Sequence, residues 1–238
     1  MSGPLREATP ETAAAVLRLL AGEPPAALPR HRHDLSRDDV REAQRVRIMA
    51  AAIELFADPG YPVTTVLDIT KRAGVSRKTF YQLYDTKEDV FLDAYCAVGV
   101  LVSQAGLASA DPQEPFVPAE IPRYAGQVLA LIAATPASTR MFFLEALGAG
   151  PRVRARRNEA IAEFVAALSP RLKQLRAQAE PDLRELSDQQ CRIVVAAGIE
   201  LIAEYLADHD PTELPAITND LTELVRSIVT PNHPTYVR

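Results

Sequence analysis

Cysteine is nearly absent from this chain. Only Cys96 and Cys191 occur in 238 residues. They lie far apart, each within an apolar helical pattern, which argues against a disulfide framework and for reduced, buried thiols. Histidine is equally sparse: His31, His33, His209 and His233 are scattered, and none joins a Cys/His cluster or a His-Glu-x-x-His helix. No metal site and no other cofactor is therefore expected. Catalytic signatures are lacking too. There is no Gly-x-Ser-x-Gly, no phosphate-binding loop, no paired His and carboxylate spacing and no dinucleotide fingerprint, so the chain is not expected to be an enzyme. Neither a secretory apolar segment nor a run long enough to cross a bilayer is present, so a soluble cytoplasmic protein with no membrane partner is expected. Nor is there a basic excess. Lys and Arg number 26 against 31 Asp and Glu, for a net charge of −5. Indiscriminate binding to polyanions is disfavoured, and any nucleic-acid surface must be local.

One stretch supplies such a surface. From Thr64 to Lys87 the sequence reads TTVLDITKRAGVSRKTFYQLYDTK, which predicts two short helices joined by a tight turn. Thr65 with Asp68 forms a capping box, so a first helix should run from Val66 to Ala73. Gly74 ends it, because a residue tolerant of positive φ turns the backbone there, and Val75 plugs the space between the helices. Ser76 caps the second helix. Phe80, Leu83 and Tyr84 should face inward, leaving Arg77, Lys78, Tyr81 and Gln82 outward. That outward set suits a DNA major groove: two cations for phosphates or guanine edges, a phenol for a phosphate, and an amide for adenine. Between Ile69 and Tyr84 there are four basic residues, Lys71, Arg72, Arg77 and Lys78, and no acid. A small helical hairpin with a merely solvated basic face is the alternative.

These residues carry a family resemblance. The block from Ile48 to Asp93, with AAIELFADPGY, TTVLDITKRAGVS and KTFYQLYDTKEDVF, resembles the DNA-binding domain of the TetR (tetracycline repressor) family of transcriptional regulators. It spans about a fifth of the chain. Two positions depart from the family pattern: Thr70 stands where alanine is usual, and Lys78 where a small residue or proline is frequent. The resemblance implies phosphate contacts from Thr64, Thr65, Tyr81 and Lys87, and base readout by Arg77, Lys78, Thr79 and Gln82. Lys87, at the start of the next helix, is expected to grip a phosphate together with backbone N–H groups.

The remaining chain reads as all-α. A short helix near Pro10 to Ala21, closed by Gly22, precedes a Pro-rich linker and Arg30-His31-Arg32-His33, a basic arm able to enter a minor groove or simply a solvated linker. Ser36 with Asp39 caps a helix to about Ala57, stopped by Pro59-Gly60. Thr86 with Asp89 caps a long helix to about Ala108. Residues 111 to 122 carry four prolines and read as a loop. Pro122 starts a helix that Pro136 ends, and Ser138 caps another. After GAGP at 148–151, a helix begins with Arg152, Arg154, Arg156 and Arg157, a solvated face or an anion site, and Pro170 should kink or divide it. Ser187 with Gln190 caps a helix to about Asp208 that is apolar nearly all round. Such a helix must be buried on every side, so one face is expected to meet a partner chain, completed by a helix from Pro215 to Val229.

The expected organisation is an extension over residues 1–35, a three-helix DNA-binding head over 36–90, a helical bundle for ligand binding and dimerisation over 91–230, and a tail over 231–238. Expected dimer contacts are Ala197, Gly198, Leu201, Ile202, Tyr205, Leu221, Leu224 and Ile228, in a twofold four-helix interface. Such a homodimer would present two heads to a palindromic double-stranded operator. The family's logic implies repression relieved by a small-molecule effector, whose occupation tilts the long helix and spreads the heads. Candidate lining residues are Tyr95, Tyr124, Met141, Phe142, Glu145 and Phe164, with Glu145 either pairing a cationic ligand or facing solvent; each can equally be plain core. A ligand-independent architectural protein, an activator, or an enzyme with a DNA-binding head are the competing functions.

Overall fold

The computed structural model describes residues 9–22, 36–108 and 117–231. Every regular element among them is helical, and the order is α1 (Pro10–Leu20), α2 (Arg37–Leu55), α3 (Val66–Ala73), α4 (Arg77–Tyr81), α5 (Lys87–Ala108), α6 (Ile121–Ala133), α7 (Pro136–Arg140), α8 (Ala146–Gly148), α9 (Pro151–Ala179), α10 (Asp188–Asp208) and α11 (Thr218–Val229). The basic arm at residues 30–33, most of the expected proline loop and the tail beyond residue 231 lie outside the described residues.

Local chemistry sets most of the helix starts. Ser36 and Asp39, Thr65 and Asp68, and Ser187 and Gln190 each form a reciprocal capping box. Thr86 and Asp89 do the same at α5, the Thr86 N–H donating to Asp89 Oδ2 at 2.9 Å and the Asp89 N–H to Thr86 Oγ1 at 3.2 Å. Each box satisfies N–H groups that the first helical turn leaves without intrahelical partners.

Prolines are where the structure departs from expectation. Pro136 begins α7 instead of ending α6, and Ser138 lies inside α7 with its side chain buried. At a first helical position the missing proline N–H would have had no partner, so Pro can start a helix as readily as follow one. Pro170 does not divide α9, which runs unbroken from Pro151 to Ala179. One residue earlier the Ser169 hydroxyl donates to the Val165 carbonyl at 2.7 Å, a local side-chain bond onto the backbone beside the carbonyl that Pro170 leaves without its N–H. Before α11 a 3-10 segment, Pro211–Ile217, occupies the stretch where the last helix was expected to begin at Pro215.

The described residues form two compact units, those within 1–102 together with 137–156, and those within 103–136 together with 157–238. In the first, α1 and α3 pack on α2, and Ile48, Met49, Ile53, Phe56, Ile69, Phe80 and Phe91 are fully buried. Burying each such side chain contributes about 1.5–3 kcal/mol, enough to hold short helices that could not stand alone in water. In the second, a core of Ile121, Val165, Leu172, Leu175, Leu186, Cys191, Val194, Val195 and Val229 ties α6, α9, α10 and α11 together. Arg176 closes the end of α11 by donating to the Ile228 and Val229 carbonyls.

Candidate nucleic-acid interface

Helix α3 ends as its sequence demands. Gly74 sits at φ 62°, ψ 39°, in the left-handed region that favours glycine, and the Val75 N–H returns to the Thr70 carbonyl at 3.1 Å, closing a Schellman-type end. Ser76 then caps α4, accepting from the Thr79 N–H at 3.0 Å. Phe80 and Tyr84 are buried, four residues apart on the inner face, while Arg77, Lys78, Tyr81 and Gln82 are exposed. Tyr81 keeps half of its surface open to solvent and meets Phe80 edge-on at 5.4 Å, which fixes its ring while leaving the phenol outward. Thr79 is half-buried, with its hydroxyl 2.9 Å from that of Ser76. Arg72 is exposed as well, with its Nε donating to Glu54 on α2 at 2.7 Å. Lys71, Arg77 and Lys78 remain exposed.

Two arginines from α2 hold this hairpin from behind. Arg47 donates to the Ala73 and Gly74 carbonyls at the end of α3, and Arg41 donates to the Gln82 carbonyl at the end of α4, at 3.1 Å. A cation at a helix C-terminus meets orphan carbonyls and the negative end of the dipole together. Neither arginine was recognised from sequence. Their acceptors are backbone atoms some 26 to 41 residues away, and no side-chain pattern marks those.

Two of the expected phosphate contacts are engaged elsewhere. Thr64 is buried, and its hydroxyl is within donating distance of the Leu55 carbonyl at 2.9 Å and the Gly60 carbonyl at 2.7 Å, so it fastens the turn before α3. Lys87 folds back onto the same turn, its Nζ reaching the Tyr61, Thr64 and Pro62 carbonyls at 2.7, 2.8 and 3.3 Å while lying 4.3 Å over the Tyr61 ring. An ammonium has three donors. Those of Lys87 are matched by three carbonyls, and burial lowers its pKa, so it clamps the turn. Thr65 is exposed, and its hydroxyl is part of the α3 capping box.

Glu145 also departs from expectation. It belongs to a wide π-helical turn, Met141–Glu145, and its carboxylate accepts the Tyr61 N–H at 2.9 Å. The carboxylate thus holds the Gly60–Tyr61 turn through that amide. Nearby Arg152 donates to Glu88 and Asp89, each at 2.9 Å. Of the other lining candidates, Tyr95 stacks on Phe142 with ring centroids 4.3 Å apart and planes 8° apart, and Met141 is fully buried. Tyr124 and Phe164 belong to the second unit, where Phe164 packs against its core.

Among the expected dimer contacts, Gly198 and Ile202 are buried inside the second unit. A Cβ at Gly198 would meet Leu221 Cδ1 at 3.3 Å, so the close approach that glycine permits is made to α11 of the same chain. Ala197, Leu201, Tyr205, Leu221, Leu224 and Ile228 stay half-buried, and Ile193 is nearly half exposed.

Residues 48–94 match the family model described as bacterial regulatory proteins, tetR family. The chain carries the DNA-binding head of the tetR family. The chain is 35% identical across 54 residues to the HTH-type transcriptional regulator YezE of Bacillus subtilis, and 41% identical across 49 residues to the HTH-type transcriptional regulator HbdR of an Aromatoleum species. Those matches span 28% and 21% of the two relatives' length, and 23% and 21% of this chain. The similarity in fold extends beyond the head. FadR of Bacillus subtilis, crystallised with stearoyl-CoA, superposes with a TM-score of 0.62 at 21% identity, covering 79% of this chain and 98% of FadR. GusR of Salmonella enterica gives 0.60 at 18% identity over 83% and 99%, and the TetR-family regulator PfmR of Thermus thermophilus 0.59 at 16% over 76% and 94%. The TetR-type head is thus followed by an all-helical body of the same fold as these regulators.

Proposed function

We propose that the chain is a cytoplasmic transcriptional regulator, a repressor that binds a palindromic operator as a homodimer and leaves it when a small molecule binds. The observation that carries this reading is the outward face of α4. Arg77, Lys78 and Tyr81 stand exposed on α4 and Gln82 on the turn that ends it, while Phe80 on the helix and Tyr84 just beyond it are buried, within the stretch that matches the tetR-family head. Arg77, Lys78, Thr79 and Gln82 read bases; Thr65 and Tyr81 contact phosphate; Thr64 and Lys87 set the turn that presents α3.

One short helix reads few base pairs, so specificity requires two heads and twofold symmetry. The half-buried apolar residues Leu201 and Tyr205 on α10 and Leu221 and Leu224 on α11 support a subunit contact there. The effector is placed against Tyr95, Met141 and Phe142, whose aromatic and thioether surfaces suit an apolar group. That FadR, with the same fold, is seen with stearoyl-CoA supports an effector-responsive body.

Selection of genome fragments by the purified protein tests the proposal. A palindromic sequence bound by two chains is the expected result. Absence of any enriched sequence, or a site bound by a single chain, contradicts it.

A further inference from the structure

Helix α1 lies outside the residues that match the family head, 48–94, yet it is packed onto that head. Thr12, Ala13 and Val16 are buried in the interface with α2. From Thr12 a polar chain leads inward. Its hydroxyl donates to Glu42 Oε1 at 2.7 Å; the Glu42 carboxylate also accepts from Arg45 Nη1 at 3.4 Å from each oxygen; Arg45 Nε donates to Asp93 Oδ2 at 2.7 Å; and the Tyr84 phenol donates to the same Asp93 oxygen at 2.6 Å. The Tyr84 N–H in turn closes on the Phe80 carbonyl at 2.9 Å, so the chain ends on the turn that terminates the recognition helix α4.

We infer that α1 is a working part of the DNA-reading head and that Thr12 is a positioning residue for the recognition helix, acting through Glu42, Arg45, Asp93 and Tyr84. The inference rests on the DNA-binding function proposed above. Arg45, Asp93 and Tyr84 are each less than a tenth exposed, and a buried ion pair keeps its geometry only when its remaining donors and acceptors are met. Glu42 serves Arg45 from the one side of the network that reaches solvent, with about a third of its side chain open. The Thr12 hydroxyl holds that carboxylate toward Arg45. Without it Glu42 is free to rotate outward, Arg45 draws more on Asp93, and the oxygen shared with Tyr84 moves. Burial, and then the Asp93 charge, hold the Tyr84 phenol well above its ordinary pKa, so it stays a donor to that oxygen. The buried Ala13 and Val16 supply apolar packing; the Thr12 hydroxyl is what couples α1 to the network.

The test uses the full chain and the sequence selected by the wild-type protein, with a scrambled duplex of equal length beside it. Thr12→Val keeps the side-chain shape and removes the donor; Thr12→Ser restores it. Thr12→Val is expected to weaken binding to the selected site by roughly three- to tenfold, the order of a lost hydrogen bond, and to leave the scrambled duplex unchanged. Thr12→Ser is expected to bind as the wild type does. Combined with Tyr84→Phe, Thr12→Val should lose less than the product of the two single losses. If Thr12→Val does not fold, Glu42→Gln reads the same link. Equal losses on both duplexes, independent effects of the two substitutions, or no rescue by serine would reduce α1 to a stabilising prop and overturn the inference while the DNA-binding function stands. A wild-type protein that selects no sequence would overturn both.

Discussion

Arg47 and Gly74 are fitted to each other at the turn between α3 and α4. The Arg47 Nη2 occupies the place where a side chain would be: it donates to the Gly74 carbonyl at 3.1 Å and lies 2.7 Å from the position of a Cβ on Gly74. Substituting Gly74 therefore meets two penalties. A left-handed backbone costs a non-glycine residue roughly 1–2 kcal/mol, and the displaced Arg47 loses its carbonyl partners. Gly74→Ala is expected to lower the unfolding free energy by about 2–3 kcal/mol, and Arg47→Met by about 1 kcal/mol. Denaturant unfolding of the two variants checks this. Near-wild-type stability of Gly74→Ala would show that the turn does not depend on glycine.

Thr64 and Thr65 are adjacent but should fail differently. Thr64→Val leaves the Leu55 and Gly60 carbonyls without its hydroxyl, so it should lower stability by about 1–2 kcal/mol and leave the salt dependence of DNA binding as it was. Thr65→Ala removes the α3 cap, costing about 1 kcal/mol, and also deletes an exposed hydroxyl at the proposed phosphate contact. Thermal unfolding combined with binding at several salt concentrations separates the two. A flattened salt slope for Thr64→Val would contradict its assignment to the turn.

Acid should loosen the head through its capping carboxylates. Hydrogen bonds from the Thr65 hydroxyl and N–H hold Asp68 below the ordinary carboxylate range. At Asp89 burial pushes upward, but bonds from Thr86 and Arg152 outweigh it and the pKa is again lowered. For a depressed folded pKa the stabilisation is complete above the unfolded value, about 4, and is lost as the pH falls through the folded one. Melting temperatures from pH 5 to pH 2 should therefore fall more gently for Asp89→Asn than for the wild type. Parallel curves would mean that Asp89 carries no pH-linked stability.

Glu145 should be felt at Tyr61. Glu145→Ala removes the acceptor of the Tyr61 N–H, and hydrogen exchange at that amide is expected to quicken by roughly tenfold, the equivalent of one hydrogen bond of about 1.4 kcal/mol. Unchanged exchange would place the restraint on the turn with Lys87 alone.

How much of this was legible in the sequence depends on how far apart the partners are. The capping boxes at Ser36, Thr65, Thr86 and Ser187 and the left-handed Gly74 could be placed to the residue, because a short spacing and a single backbone conformation define each. The inward pair Phe80 and Tyr84 followed from helical periodicity. Proline was ambiguous: Pro136 serves the start of a helix as well as the end of one, and Pro170 sits within α9, where packing along the helix outweighs the lost backbone bond. Long-range partners were not legible. Nothing in the sequence indicates that Lys87 points back at three carbonyls of the preceding turn, that Glu145 caps Tyr61, or that Gly198 admits Leu221 of its own chain. In each case a residue that looks suited to a ligand or partner was matched by backbone or core that only folding brings near.

The most direct test of the account is the binding of Arg77→Ala, Lys78→Ala and Gln82→Ala to the selected operator and to its single-base variants at two salt concentrations. Arg77→Ala and Gln82→Ala are each expected to lose about 1–3 kcal/mol and relax specificity at particular base pairs, while the wild type shows a steep salt dependence. Binding by all three variants that matches the wild type in affinity, specificity and salt slope would contradict the assignment of α4 as the recognition helix.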